Sequence, residues 1–270
     1  MTILQAILLG IIQGLTEFIP ISSTAHLTIA GRLMGLISND QPEQWTAFIA
    51  VIQLGTLMAV VVYFLGDIIK IIVGFIAGNA GFLTRQTVSD DRRAACKLGW
   101  LIVLGTIPVA VAGLAFRHVI EGSLTKNLWV ITSSLISVAL LLTIAEMVAS
   151  RERGMDRLNA ADAVVVGLSQ VLALIPGSSR SGSTITGGLF AGLTREAAAR
   201  FSFLLSIPAI AASGLLELPK ALKSVNTPVP DIIVATLASG IVGYASIFFL
   251  LRQNSFYLHQ LSFRVKFTWL

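Results

Sequence analysis

Leu174-Ile175-Pro176-Gly177-Ser178-Ser179-Arg180-Ser181-Gly182-Ser183-Thr184 is the stretch that sets the reading of the whole chain. It interrupts an apolar run with a proline, two glycines, five hydroxyl residues and a guanidinium. Pro176 and Gly177 break the helix that begins near residue 163. A second apolar segment, 185–193, resumes at once, so the N-terminal end of its dipole points back at the break. Small residues let backbone N–H groups approach a ligand, and successive free N–H groups form an anion cradle. Arg180 adds a planar fork that matches phosphate oxygens and has no acidic neighbour in sequence. The stretch reads as an oxyanion site for phosphate, sunk into a membrane. The plainer alternative is a polar loop that only turns the chain.

Its surroundings suit lipid. Of 270 residues, 55% are hydrophobic and 12% charged, and the mean hydropathy is +0.83. That charged share is about half the share usual in soluble domains. No series of short alternating strands suggests a barrel. The expected fold class is an all-α integral membrane protein, a polytopic helical bundle forming one membrane domain over 1–270. A formal net charge of +5 is modest. It reads as cytoplasmic loop bias and attraction to anionic lipid, not as nucleic-acid binding. Cys96 is the single cysteine, so no internal disulfide can form. The N-terminus is apolar but lacks a basic leader and a small-residue cleavage site, so it reads as mature sequence.

Taken in order, the chain opens with two half-length apolar pieces, 2–18 and 27–36, around a polar break. Such a pair reads as a re-entrant hairpin, tolerated where protein or a wet cavity covers it. Full spans are expected at 47–66, 98–116, 128–148, 200–218 and 232–251. The segment 67–83 is apolar but broken by glycine, and reads as interfacial. The stretch 253–270 carries polar residues throughout and reads as an altered end at the cytoplasmic surface, with Arg264 and Lys266 meeting headgroups. The basic loops 85–97 and 151–157 lie two spans apart and share a side, which their arginines make cytoplasmic. The first hairpin then opens outward and the second inward.

An internal repeat agrees. Ile19-Pro20-Ile21-Ser22-Ser23 matches Ile175-Pro176-Gly177-Ser178-Ser179, and Gly31, Gly35 and Leu36 match Gly188, Gly192 and Leu193 with one residue of slippage. The repeats run about 1–150 and 160–252. Three spans between the hairpins would invert the second copy, bringing Ser22, Ser23 and His26 opposite Ser178 to Thr184.

Gln13 and Glu17 are four apart and share a helical face. Glu17 falls at membrane depth, where an ionisable group marks function. It can serve as general base, as cation ligand or as an orienting group. His26 and Ser23 are both candidate nucleophiles, while Ser22 and Ser23 are equally candidate N-caps. Sequence does not separate these roles. Arg180 and the backbone from Gly177 to Ser181 would bind the anion, with Ser178, Ser179, Ser181, Thr184, Ser22, Thr24 and Gln13 lining it.

The segment Gln13-Gly14-Leu15-Thr16-Glu17-Phe18-Ile19-Pro20-Ile21-Ser22-Ser23-Thr24-Ala25-His26 resembles the first signature of the undecaprenyl-diphosphate phosphatase family, the bacitracin-resistance proteins. Pro176 to Thr184 resembles its second, Pro-Gly-x-Ser-Arg-Ser-x-x-Thr, and Phe48 through Gly55 is also similar to the family. The resemblance covers about 1–252. It implies a bacterial inner-membrane hydrolase, with its site facing outward, that removes the terminal phosphate of undecaprenyl diphosphate to recycle the carrier lipid for cell-wall synthesis. It places Glu17, His26 and Arg180 on catalytic positions and Ser23, Ser179 and Thr184 on site-lining ones. It implies a divalent cation, magnesium or calcium, with Glu17 as ligand. Gln13 is the family's variant choice there, which puts a cation held by two carboxylates in doubt. Membrane lipid is the other partner, and a homo-oligomer is compatible with the sequence. The competing readings are a lipid-phosphate transporter or flippase on the same inverted-repeat plan, and a lipid-phosphate binding protein without turnover.

Overall fold

Helices form wherever the apolar runs are continuous and start where a hydroxyl or amide can cap them. The computed structural model describes residues 1–37, 42–85, 87–116, 118, 120, 127–223 and 228–267, with 42 and 252–267 as backbone only. In order, the helices are α1 (Ile3–Thr16), α2 (Ser23–Leu33), α3 (Pro42–Tyr63), α4 (Leu65–Thr84), α5 (Asp90–Ala115), α6 (Leu128–Val148), α7 (Ala160–Val171), α8 (Arg180–Phe190), α9 (Arg195–Leu222) and α10 (Val229–Phe267). No β-strand occurs among the described residues. Helices α3, α4, α5, α6, α9 and α10 are long and apolar enough to cross a membrane. Exposed Ile72, Phe82, Leu114, Trp129, Leu140, Ile241 and Phe249 give the bundle an apolar exterior, as a lipid-facing surface requires. The all-α polytopic fold expected from composition is the one observed.

The two hairpins are α1–α2 and α7–α8, and they match element by element at an interval of 157 residues. Thr2 caps α1 in a capping box with Gln5, and Asn159 caps α7 in one with Asp162. Ser22 caps α2 and Ser179 caps α8, each accepting from a backbone N–H three residues on. Both second helices close on a left-handed glycine, Gly35 and Gly192, and the next residue's N–H returns to the carbonyl of Gly31 or Gly188. Gly10 of α1 lies against the Ala235 carbonyl of α10, and Gly167 of α7 against the Gly105 carbonyl of α5. Helix α5 is thus to α7 what α10 is to α1.

The hairpins enter from opposite ends of the bundle. Helices α3 and α9 run antiparallel, since Phe64 meets Phe203 and Ala50 and Leu54 meet Gly214. Gly31 of the first hairpin packs on Trp45, near the start of α3. The second hairpin ends at Gly192, whose carbonyl accepts from the N–H groups of Glu152 and Arg153, and α9 begins three residues later. Arg153 locks that end with a two-pronged bond to Asp162, at 2.9 and 2.6 Å, and a further bond to the Ala191 carbonyl.

Three expectations need revision. The segment 67–83 belongs to a continuous helix, α4, long enough to span. Its glycines are contact points, not breaks: Gly74 receives Ala95 and Gly78 receives Cys96 of α5. Helical bonds from Phe64 N to Val60 O and from Ile68 N to Phe64 O carry α3 into α4 through a bend, and α4 does not fold back along α3. Four long apolar helices therefore lie between the hairpins, and because α4 does not return along α3 the hairpins still enter from opposite ends. Helix α5 starts at Asp90, so Arg92, Arg93 and Lys97 stand on its first turns and not in a loop. At the far end the spanning stretch is Val229–Leu251, as expected, but the backbone continues helical to Phe267. The expected surface position of the 253–270 side chains lies outside the described residues.

Candidate active site

The site forms where the two hairpin breaks meet. Helix α1 ends at Thr16, and Glu17 turns inward as its C-cap. Pro20 cannot continue the helix, and Ser22 sits at φ 66°, a conformation that L residues adopt only under constraint. That turn lets α2 start at Ser23 with its hydroxyl aimed back at Glu17. Ser23 Oγ donates to Glu17 Oε2 at 2.6 Å, and Gln13 Nε2 donates to the same oxygen at 2.8 Å. The other carboxylate oxygen, Oε1, faces Arg180 Nη2 at 3.2 Å. Arg180 also donates to Gln53 Oε1 of α3 at 2.8 Å. Glu17 is only 7% exposed, so its charge is stabilised by these partners and little by water.

Hydroxyls of the second break hold the geometry. Ser181 Oγ donates to the carbonyls of Glu17 and Ile19, tying one break to the other. Thr184 Oγ1 bonds to the Arg180 carbonyl and to Ser202 of α9, fixing the turn from which the guanidinium projects. Ser134 of α6 donates to the Pro176 carbonyl at 2.5 Å. Gly177 has φ +92°, and a Cβ there would come within 2.4 Å of the Ile131 carbonyl and of Ser134 Oγ. Gly177→Ala is therefore expected to destabilise the protein by about 2 kcal/mol or more and to displace Arg180. Thermal unfolding in detergent, with an activity assay beside it, checks this; an unchanged midpoint would mean that the turn relaxes freely.

A cavity of about 480 Å³ opens at this point. Its polar end is lined by Glu17, Ser22, Ser23, Thr24, Gln53, Ser178, Ser179 and Arg180. Helices α2 and α8 both begin there, so two N-terminal dipoles face the same volume and favour an anion. The apolar arm runs between Val109, Ala110 and Leu114 of α5 and Ala209, Ala212 and Leu216 of α9. It follows the C-terminal halves of these helices, away from the ends that carry Arg92, Arg93, Lys97 and Arg195.

The candidate residues divide into two groups. Seven border the cavity: Glu17, Ser22, Ser23, Thr24, Ser178, Ser179 and Arg180. Gln13, Gly177, Ser181 and Thr184 stand behind them and shape the wall. His26 is half-buried with Nδ1 2.9 Å from the Ser22 carbonyl, and it is not among the cavity-lining residues. Gln53 and Ser202 were not anticipated. Gln53 carried a usable signal, an uncharged polar group in the middle of an apolar span.

Comparison with known proteins fixes the lineage. The family described as "Bacitracin resistance protein BacA" matches residues 6–265. The chain belongs to this family. The undecaprenyl-diphosphatase of Syntrophobacter fumaroxidans is 55% identical over 255 residues, covering 93% of this chain and 89% of that protein. The relative from Chloroherpeton thalassium, of the same name, is 50% identical over 272 residues, covering 96% and 92%. The one from Chlorobium limicola is 48% identical over 262 residues, covering 93% and 88%. The resemblance carried by the two signatures is thus borne out, and the BacA match extends past residue 252 into the polar tail.

The site has one carboxylate, Glu17, at its polar end, and Glu217 borders the cavity farther along. Among the described residues no three acidic, histidine or cysteine side chains gather to cage a metal. The Gln13 Oε1 atom is buried and without a hydrogen-bond partner among the described residues. Gln13 Oε1 lies behind the wall, so the one protein ligand the cavity offers is Glu17, which fits a cation that takes its remaining ligands from phosphate and water, as magnesium commonly does.

Proposed function

We propose that this chain is an undecaprenyl-diphosphate phosphatase of the bacterial inner membrane, and that its turnover of the carrier lipid underlies bacitracin resistance. The observation that carries the proposal is the Ser23–Glu17–Arg180 constellation, with a hydroxyl 2.6 Å from a buried carboxylate that is itself 3.2 Å from a guanidinium. A serine beside a base, next to a fixed cation and two helix N-termini, is what phosphoryl transfer needs.

In the proposed reaction Arg180, Ser178 and Ser179 hold the diphosphate. Ser23 Oγ attacks the terminal phosphorus and passes its proton to Glu17 Oε2. The bond from that phosphorus to the bridging oxygen breaks, and the prenyl monophosphate leaves with the electron pair. Glu17 releases its proton, then takes one from a water that attacks the phosphoserine, and Ser23 recovers its hydrogen as inorganic phosphate departs. Of the two candidate nucleophiles, Ser23 is favoured by its bond to Glu17. His26, bonded to the Ser22 carbonyl, steadies the constrained turn. Glu17 would hold a divalent cation, magnesium or calcium, together with the substrate; when bound, it would offset phosphate charge. The prenyl chain occupies the apolar arm between α5 and α9. The arm's position away from the arginine-bearing ends supports a site open to the outer face.

Release of inorganic phosphate from C55 prenyl diphosphate by purified protein tests the proposal. Binding without release would point to a carrier protein. Movement of labelled lipid between leaflets of sealed vesicles, without release, would point to a flippase.

A further inference from the structure

The 157-residue match between the halves extends to the helices after each hairpin. Thr56 of α3 donates to the Gln53 carbonyl, and 157 residues on, Ser213 of α9 donates to the Ile210 carbonyl. In the first half, Gln13 Nε2 reaches Thr56 Oγ1 at 3.4 Å and Glu17 at 2.8 Å. The matching glutamine in the second half is Gln170 on α7. It is fully buried and borders the cavity, yet neither its Nε2 nor its Oε1 has a hydrogen-bond partner among the described residues. Ser213 borders the same cavity.

The difference arises from how the neighbouring helices close. Gly55 lets α3 press on α10: a Cβ there would lie 2.0 Å from the Thr236 carbonyl. Its counterpart is Ala212, whose methyl lies on the cavity wall, and α9 stands off α5 there. The amide nitrogen is paired in the first half, and in the second both polar atoms of the amide lack a partner among the described residues. An amide donor and acceptor left buried and unpaired costs folding energy, which a ligand with matching groups can recover.

We propose that Gln170 is a substrate-contact residue that holds the phosphate retained on the prenyl chain. This rests on the phosphatase reading above. Helix α7 lies along α5, with Gly167 on Gly105 and Leu174 beside Gly113, so Gln170 sits where the polar end gives way to the apolar arm. The part of a prenyl diphosphate that falls there is the junction of head and tail, the proximal phosphate. The amide N–H donates to its oxygens, while Arg180 and Ser23 engage the terminal one.

Gln170→Leu keeps the bulk and removes both polar atoms. It is expected to raise KM for the prenyl diphosphate about ten-fold, the usual effect of one hydrogen bond to a charged group. Inhibition by the prenyl monophosphate product should weaken by a similar factor, because product and substrate share the proximal phosphate. Inhibition by inorganic phosphate should stay as in the parent. The melting temperature should hold or rise, since an unpaired buried amide is gone; a structural glutamine would give a fall instead. Gln170→Glu should weaken monophosphate binding further by charge repulsion. Unchanged KM and unchanged monophosphate inhibition would overturn the assignment, as would a lower melting temperature with unaltered KM. Should the parent release no phosphate, the phosphatase reading fails. Direct titration of parent and Gln170→Leu with prenyl monophosphate then still decides the role of Gln170: equal affinity sinks it and about ten-fold weaker binding upholds it.

Discussion

Ser23→Ala is expected to stop phosphate release almost completely, by about four orders of magnitude or more, while the protein still inserts and folds. The hydroxyl is the group nearest to the buried carboxylate, and loss of a nucleophile costs more than loss of any single stabilising contact. Substrate affinity should change little, because Arg180, Ser178 and Ser179 remain. Glu17→Gln should be of similar severity for a different reason. It removes the base and leaves the partly buried Arg180 without its carboxylate, so stability should fall as well. A rapid-quench experiment with labelled diphosphate separates the steps: the parent should show label on a peptide containing Ser23, and Ser23→Ala should show none. Residual turnover above about one percent in Ser23→Ala, or label on His26, would transfer the nucleophile's role to His26.

Arg180→Lys is the second large effect, expected at about a hundred- to thousand-fold in kcat, the scale seen when one preorganised charge donor is removed. Its Nη2 serves Glu17 Oε1 and Gln53 Oε1 together, at 3.2 and 2.8 Å, and the rest of the fork is left for the substrate. A lysine brings the same charge on a flexible stem, without a planar fork that can serve protein and phosphate at once. Gln53→Leu should reproduce a milder form of the same defect, since it frees the guanidinium without removing it. Phosphate release from vesicles and the melting temperature give the two readouts. Parent-level turnover in Arg180→Lys would mean that the helix N-termini alone hold the diphosphate.

Much of this site was legible in the sequence because the chemistry is local. Gln13, Glu17 and Ser23 lie within one break, and Arg180, Ser181 and Thr184 within another, each marked by proline beside hydroxyl residues in an apolar setting. The partnership of Arg180 with Gln53 was not legible, because it joins residues 127 apart, on helices whose adjacency follows from packing alone. Helix α4 was misjudged because glycine in an apolar run signals either a break or a close helix contact, and only Ala95 and Cys96 opposite it decide which. The hydrogen-bond partners of His26 and Ser23 separated only with coordinates, since a difference of three residues puts one side chain on the carboxylate and the other on a backbone carbonyl.

The pairing of α1 with α10 has a consequence for how the protein is made. At 14 residues α1 is too short to cross a bilayer, and its chief packing surface is the last helix of the described chain. Glu17 likewise waits for a guanidinium encoded far downstream. At ribosomal speeds of about 5 to 20 residues per second, the first hairpin emerges roughly 10 to 40 seconds before α10 can cover it. During that interval a carboxylate and a row of unsatisfied backbone groups must be sheltered from acyl chains. Until α10 has been made, the first hairpin therefore lacks the surface that covers it, and its break is expected to stay at the membrane interface.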